Sequence, residues 1–525
     1  MFRLWLSTRQ LSVVGTGMIW ACLSLPCLLA QTTASTPPVA SSGSQKAADG
    51  DTHITSAQAK DLFRSVHTIL LFDSGDTDYV LHHPVQPRLV TRDQVEQYLT
   101  EQLRKGHETQ RLQQSELVLK KFGLLDQDFH LESFLIQLMR EQVAGYYDDK
   151  TKTVNLLDWI SPEAQKPVLA HELTHALQDQ HVDLEKWEQQ DKYSVAKNVA
   201  EDNEHLATDE DDTVRDAVLE GQAMAVFIDY ALAPAGKNLL TSPEMVNQMK
   251  QAMSDNSDSP VMARAPLLLQ QSLIFPYREG LDFITAVLKA KSKDAAFSGT
   301  LDHPPTSTYE IMNPQAYLHH AQVPLLTMPD IHGLIEQEYK PYDIGVMGEL
   351  DVRMLAALFS GPKAAEALAP AWRGGIYYAA QSRQAKTEEQ KAATASLGLL
   401  YLSRWATPKA AQSFAAIYAA QISRKYDHVV PEAPEDPSKS NGLIERVWDT
   451  SEGPMLIAIS DKTVFTSESF PLPLARKLEF VMLGSITDNV QSVIAANPQP
   501  SAELSSSLRR VFLKVGISRV ATRIP

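Results

Sequence analysis

The stretch that most constrains this chain is Val168-Leu169-Ala170-His171-Glu172-Leu173-Thr174-His175-Ala176-Leu177. Its only ionisable side chains are two histidines and a glutamate. Strong helix formers continue from Val168 to Gln180 after Pro167, and Ser161-Pro162 upstream is a helix-start signal. The uncharged flanks predict a buried helix, and two imidazoles and a carboxylate there are costly to desolvate unless they are paired or hold a metal. Residues i and i+4 share one helix face a turn apart, so His171 and His175 can reach one tetrahedral zinc. Glu172 projects beside that face, where it can take a proton from a metal-bound water. A surface helix with incidental histidines is the competing expectation, and the uncharged neighbours argue against it.

The surroundings of this helix are legible from hydrophobic periodicity. Gly145-Tyr146-Tyr147 and Thr153-Val154-Asn155-Leu156-Leu157 flank a polar turn and predict a β-hairpin directly before it. From Ser56 to about Val143 apolar residues such as Leu131, Phe134, Leu135 and Leu138 recur at helical spacing, predicting mostly helix. An acid-rich segment, Asp183 to Asp212, leads into a strongly apolar helix from Thr213 to about Leu232. A further helical region carries Phe275-Pro276-Tyr277 and ends in the loop His303-Pro304-Pro305-Thr306-Ser307-Thr308. Past Val323 the pattern mixes helices, such as one capped by Thr407-Pro408 and bearing Phe414, Ile417 and Tyr418, with strands such as Met455 to Ile459.

A catalytic zinc needs a third protein ligand. His181 lies six residues after His175, the metzincin spacing, but Gln178 stands where that pattern has a helix-breaking glycine. On a continuous helix six residues rotate a side chain by about 240°, away from the shared face. Glu220, within Ala217-Val218-Leu219-Glu220-Gly221-Gln222-Ala223, is the better candidate, since a lone carboxylate in an apolar helix needs a cation or hydrogen bonds to stay charged. Gly221 would let this helix approach the histidine helix closely. If Gln222 marks a polar side, Glu220 would instead face solvent.

The length of 525 residues exceeds what one core usually supports, so two folded domains are expected, at 56–322 and 323–525. The net charge of −16, without any Lys/Arg-dense stretch interleaved with aromatics, argues against a nucleic-acid partner. Arg3 and Arg9 precede an uncharged run from Leu11 to Ala30 that Pro26 interrupts. Residues 1–30 are therefore expected to be a secretory signal cut before Gln31. The alternative is a membrane anchor, which the run is just long enough to form. Residues 31–55, rich in Ser, Thr, Ala and Pro, are expected to be a disordered linker. Both cysteines, Cys22 and Cys27, lie in the signal segment, so a cleaved chain has no disulfide and no catalytic thiol. The expected location is periplasmic or extracellular, with membrane contact only through an uncleaved N-terminal segment.

Val168 to Leu177 fits the extended zincin pattern, and the second helix bearing Glu followed by Gly resembles the gluzincins, the group that includes thermolysin. More narrowly, three stretches resemble a group of exported bacterial metallopeptidases. They are Glu141-Gln142-Val143-Ala144-Gly145-Tyr146-Tyr147-Asp148, then His171 to His181, then Glu220-Gly221 with Pro304 to Thr308, and they cover about residues 140 to 315. The resemblance implies an α+β chain: a mostly helical zincin-like domain with a small sheet before the active-site helix, and a C-terminal α+β domain. It implies that His171, His175 and Glu220 bind one catalytic zinc, that Glu172 is the general base, and that the substrate is a peptide or protein. There are departures. The thermolysin pattern has an aspartate where Met224 stands, so Asp216 or Asp179 would have to orient a histidine. The narrower group implies a histidine where Asn313 precedes Pro314. Two rivals remain: an exported zincin-fold binding or scaffold protein that cleaves nothing, and a metal-dependent hydrolase of a non-peptide bond.

Tyr277, His303 and Tyr309 are each candidates to stabilise an oxyanion, but such residues more often serve packing or loops, and none is assigned a catalytic role. Asp209-Glu210-Asp211-Asp212 lacks the spacing of a calcium loop and is expected to complement the start of the helix near Thr213. Trp372, Trp405 and Trp448 are expected in the core.

Overall fold

The computed structural model describes residues 53–95, 97, 108–142, 145–187, 198–256, 259–432 and 443–485. The expected signal, the linker up to residue 52 and the last forty residues of the C-terminal part lie outside the described residues. Among the described residues no helix is long and apolar enough to cross a membrane.

The N-terminal half is a stack of helices around a small sheet. Helix α1 (Ser56–Thr77) opens with a Thr55/Gln58 capping box and is followed by β1 (Gln86–Val90), α2 (Glu108–Phe122) and α3 (Leu131–Gln142). Strands β2 (Tyr146–Asp148) and β3 (Thr153–Leu157) form the predicted hairpin, with Tyr146 opposite Asn155. The mostly helical stretch before Val143 also holds β1, a strand the sequence reading did not place, which pairs parallel to β3 and completes the order β1-β3-β2. Helix α4 (Pro162–Val182) carries the histidines. It begins at Pro162 with Ser161 at its N-cap, as the Ser161-Pro162 signal predicts, and runs through Pro167 with its first turn pinned to β3. The Gln165 amide accepts from Leu157 N at 3.0 Å and donates to Leu157 O at 2.9 Å and Ile160 O at 2.7 Å.

Beyond α5 (Val199–Thr208), helix α6 (Asp211–Leu232) is buried along most of its length between α4 and α7 (Leu267–Ala290). Gly221 makes a close approach possible, but to α7 rather than to α4. A Cβ on Gly221 would lie 2.3 Å from Gly280 O, so the two helices cross glycine on glycine.

The C-terminal half holds a seven-stranded antiparallel sheet of order β4-β5-β6-β10-β9-β8-β7. In chain order its elements are β4 (Tyr339–Val346), α8 (Glu349–Ser360), β5 (Trp372–Ser382), β6 (Leu397–Trp405), α9 (Pro408–Ala420), β7 (Val429–Pro431), β8 (Leu443–Thr450), β9 (Met455–Ser460), β10 (Thr463–Glu468) and α10 (Leu472–Ser485). Alternate residues face opposite sides. Tyr377, Leu399, Tyr401 and Val464 join the core of the N-terminal helices, whereas Ile376, Leu400, Leu402 and Phe465 pack under α10. One hydrophobic core therefore runs across position 323. Trp372 and Trp405 are fully buried in it, and Trp448 packs against it.

Candidate metal centre

Helix α4 presents His171 and His175 on one face, and α6 brings Glu220 opposite them. The His171 and His175 Nε2 atoms are 3.2 Å apart, and Glu220 Oε2 lies 3.2 Å from the first and 3.5 Å from the second. Donors about 2.0–2.1 Å from a tetrahedral ion are separated by about 3.3 Å, so these three atoms have the dimensions of one face of a zinc tetrahedron. Glu172 lies beside the triangle, with a carboxylate oxygen within 4.8 Å of the two histidine ligand atoms. Its Oε2 accepts from Tyr147 N of β2 at 3.0 Å, which ties the hairpin to the helix. The four side chains are almost completely enclosed, from 0 % exposure at His171 to 5 % at Glu220.

The hydrogen-bond network around His175 determines which of its ring nitrogens carries the proton. His175 Nδ1 is 2.7 Å from Gln178 Oε1, while Gln178 Nε2 donates to Leu219 O at 3.0 Å and to Gln222 Oε1 at 2.8 Å. Gln222 Nε2 donates to Ala296 O at 3.2 Å and Phe297 O at 2.9 Å, and Gln222 Oε1 also accepts from Tyr79 OH at 2.8 Å. Carbonyl oxygens only accept, so both amide orientations are settled. Gln178 then offers His175 an acceptor, Nδ1 carries the hydrogen, and the Nε2 lone pair faces the triangle. Gln178 and Gln222 are both fully buried, so Gln222 does not mark a solvent-facing side of α6. The functional weight of these glutamines is absent from the expectations above. Its one sequence signal is the i, i+3 spacing of His175 and Gln178.

Other candidates are dispersed. Helix α4 continues through Gln178, and His181 lies 3.5 Å from Asp302, outside the triangle. Asp179 accepts from Tyr147 OH and Lys152 Nζ, both at 2.7 Å, so it braces the hairpin. The Tyr277 ring stacks on His171 with centroids 6.4 Å apart. Burial first, then the charges of Glu220, Asp216 and Glu172, hold its hydroxyl well above the usual tyrosine range, so it stays a proton donor. Tyr309 packs 6.1 Å from Trp372. His303 lines a cavity of about 610 Å³, and none of His171, Glu172, His175 and Glu220 borders it.

The acidic run also departs from expectation. Helix α6 begins at Asp211, with Asp211 and Asp212 in its first turn, but the two preceding acids reach elsewhere. Asp209 accepts from Val346 N of β4 at 2.7 Å, and Glu210 accepts from the Ser307 hydroxyl at 2.6 Å and the Thr308 hydroxyl at 2.5 Å. They fasten the start of the Glu220 helix to the large sheet and the proline-rich loop. Asn313 donates to Glu349 of α8 at 2.7 Å.

No family model, curated protein or solved structure matches the chain.

Proposed function

We propose that the chain is an exported zinc-dependent peptidase of gluzincin type, with His171, His175 and Glu220 as ligands and Glu172 as general base. The observation that carries this reading is the triangle of 3.2, 3.2 and 3.5 Å formed by three buried donor atoms from two helices, with a carboxylate beside it. The donor set fits the ion: two neutral imidazoles and one carboxylate are a usual catalytic zinc environment. A bound zinc would supply Lewis acidity, polarising the scissile carbonyl and making water acidic enough to attack at neutral pH.

The chain's own groups do the rest. Glu172 accepts a proton from the attacking water and hands it to the leaving amine, so one carboxylate serves as base and then as acid. The Tyr147 N–H donates to Glu172 Oε2 and fixes the carboxylate beside the triangle. The Tyr277 ring stacks on His171 and backs that ligand from the side.

The test is metal analysis of the purified protein together with a mixed peptide library assayed with and without chelator. About one zinc per chain and chelator-sensitive cleavage are expected. Zinc without cleavage of any peptide would make the centre structural and overturn the peptidase reading.

A further inference from the structure

Gln178 occupies an unusual place. It is a buried side chain on the histidine helix whose amide spans to the glutamate helix, where it donates to Leu219 O, the carbonyl of the peptide bond that leads into Glu220. One amide therefore touches the His175 ring at 2.7 Å and the Glu220 peptide unit at 3.0 Å. It is held from behind by Gln222, itself fastened to Ala296 O and Phe297 O beyond α7 and to Tyr79 OH beyond α1. A buried amide demands its full complement of bonds, and both N–H groups of Gln178 are used on α6. Among the described residues its carbonyl meets His175 Nδ1, at 2.7 Å, which must then carry the hydrogen. A bare Nδ1 would set two lone pairs against each other at that distance.

Resting on the metal-centre reading above, we infer that Gln178 is a positioning residue that fixes His175 as its Nδ1–H tautomer and braces that ring against the Glu220 peptide unit. The His175 Nε2 lone pair is thereby aimed at the ion before the ion arrives, and the spacing of two ligands from different helices is set by one side chain. In the pattern where a glycine stands at this position the helix ends there. Here a glutamine continues it and holds the His175 ring.

The experiment measures zinc(II) affinity by competition with a chelator of known strength, using the full chain and its variants Gln178→Met, Gln178→Glu and His175→Ala. Methionine matches the length of glutamine but offers His175 no comparable acceptor, so affinity should fall about ten- to a hundredfold. Glutamate at this place keeps an acceptor oxygen toward His175 and should restore affinity to within a few fold. Circular dichroism of the metal-free proteins confirms folding. Two-bond ¹H–¹⁵N histidine spectra of the metal-free wild type should show His175, assigned by its loss in folded His175→Ala, as the Nδ1–H tautomer. An Nε2–H tautomer there overturns the inference, and so does wild-type zinc affinity in Gln178→Met when His175→Ala has lost it. If His175→Ala also binds like wild type, the metal-centre reading itself fails and the positioning role falls with it.

Discussion

Gly221 and Gly280 face each other where α6 crosses α7: a Cβ on Gly221 would lie 2.3 Å from Gly280 O, and one on Gly280 would lie 2.1 Å from Ala217 O. Neither approach leaves room for a methyl group, and the atoms met are backbone, which can move only with its helix. Gly280→Ala should therefore destabilise the protein by about 1–3 kcal/mol or more. It should also weaken zinc retention, because Glu220 is carried on the displaced helix. Urea unfolding and metal content of Gly221→Ala and Gly280→Ala check this, and wild-type stability in both would mean that the helices are not packed so closely.

The two residues that compete as third ligand separate cleanly. His181→Ala should leave zinc content nearly unchanged, since that ring sits beside Asp302. Glu220→Ala should strip the ion during dialysis against a mild chelator, because two neutral imidazoles hold it weakly. The reverse pattern would mean that α4 breaks at Gln178.

Asp343 of β4 makes stability depend on pH. Burial, with Asp209 adding to it against the Tyr377 hydrogen bond, raises its pKa to about 7. The unfolded chain loses this proton near pH 4 and the folded chain keeps it to about 7. Stability from this group is thus fully present below about pH 4 and is lost as pH rises to 7, by roughly 4 kcal/mol at most. Asp343→Asn, a mimic of the protonated acid, should flatten that decline between pH 5 and pH 8 in urea titrations. Equal slopes in the two proteins would show that Asp343 is ionised throughout.

The local pattern was legible where few residues decide it. The hairpin at Tyr146 to Leu157, the Thr407 cap and the apolar Glu220 helix all appear close to the expected positions. Strand β1 was not, because its five residues include Pro87, are mostly accessible, and gain their meaning only by pairing with β3 far along the chain. Helix α4 begins where Ser161-Pro162 marks it, and it runs through Pro167 with its first turn held by the Gln165 clasp on β3. His171, Glu172 and His175 could be placed together from i, i+4 geometry alone, whereas the pairing of Gln178 with Gln222 depends on how two helices cross.

The central claim is that Glu172 moves the proton while His171, His175 and Glu220 hold the metal. Glu172→Gln is its most direct test, because the amide fills the same space but cannot take the proton. The account predicts one zinc per chain in this variant, as in wild type, and peptide turnover lowered by about a hundred- to ten-thousandfold. Undiminished turnover with zinc in place would contradict it, and the base would then have to be another residue.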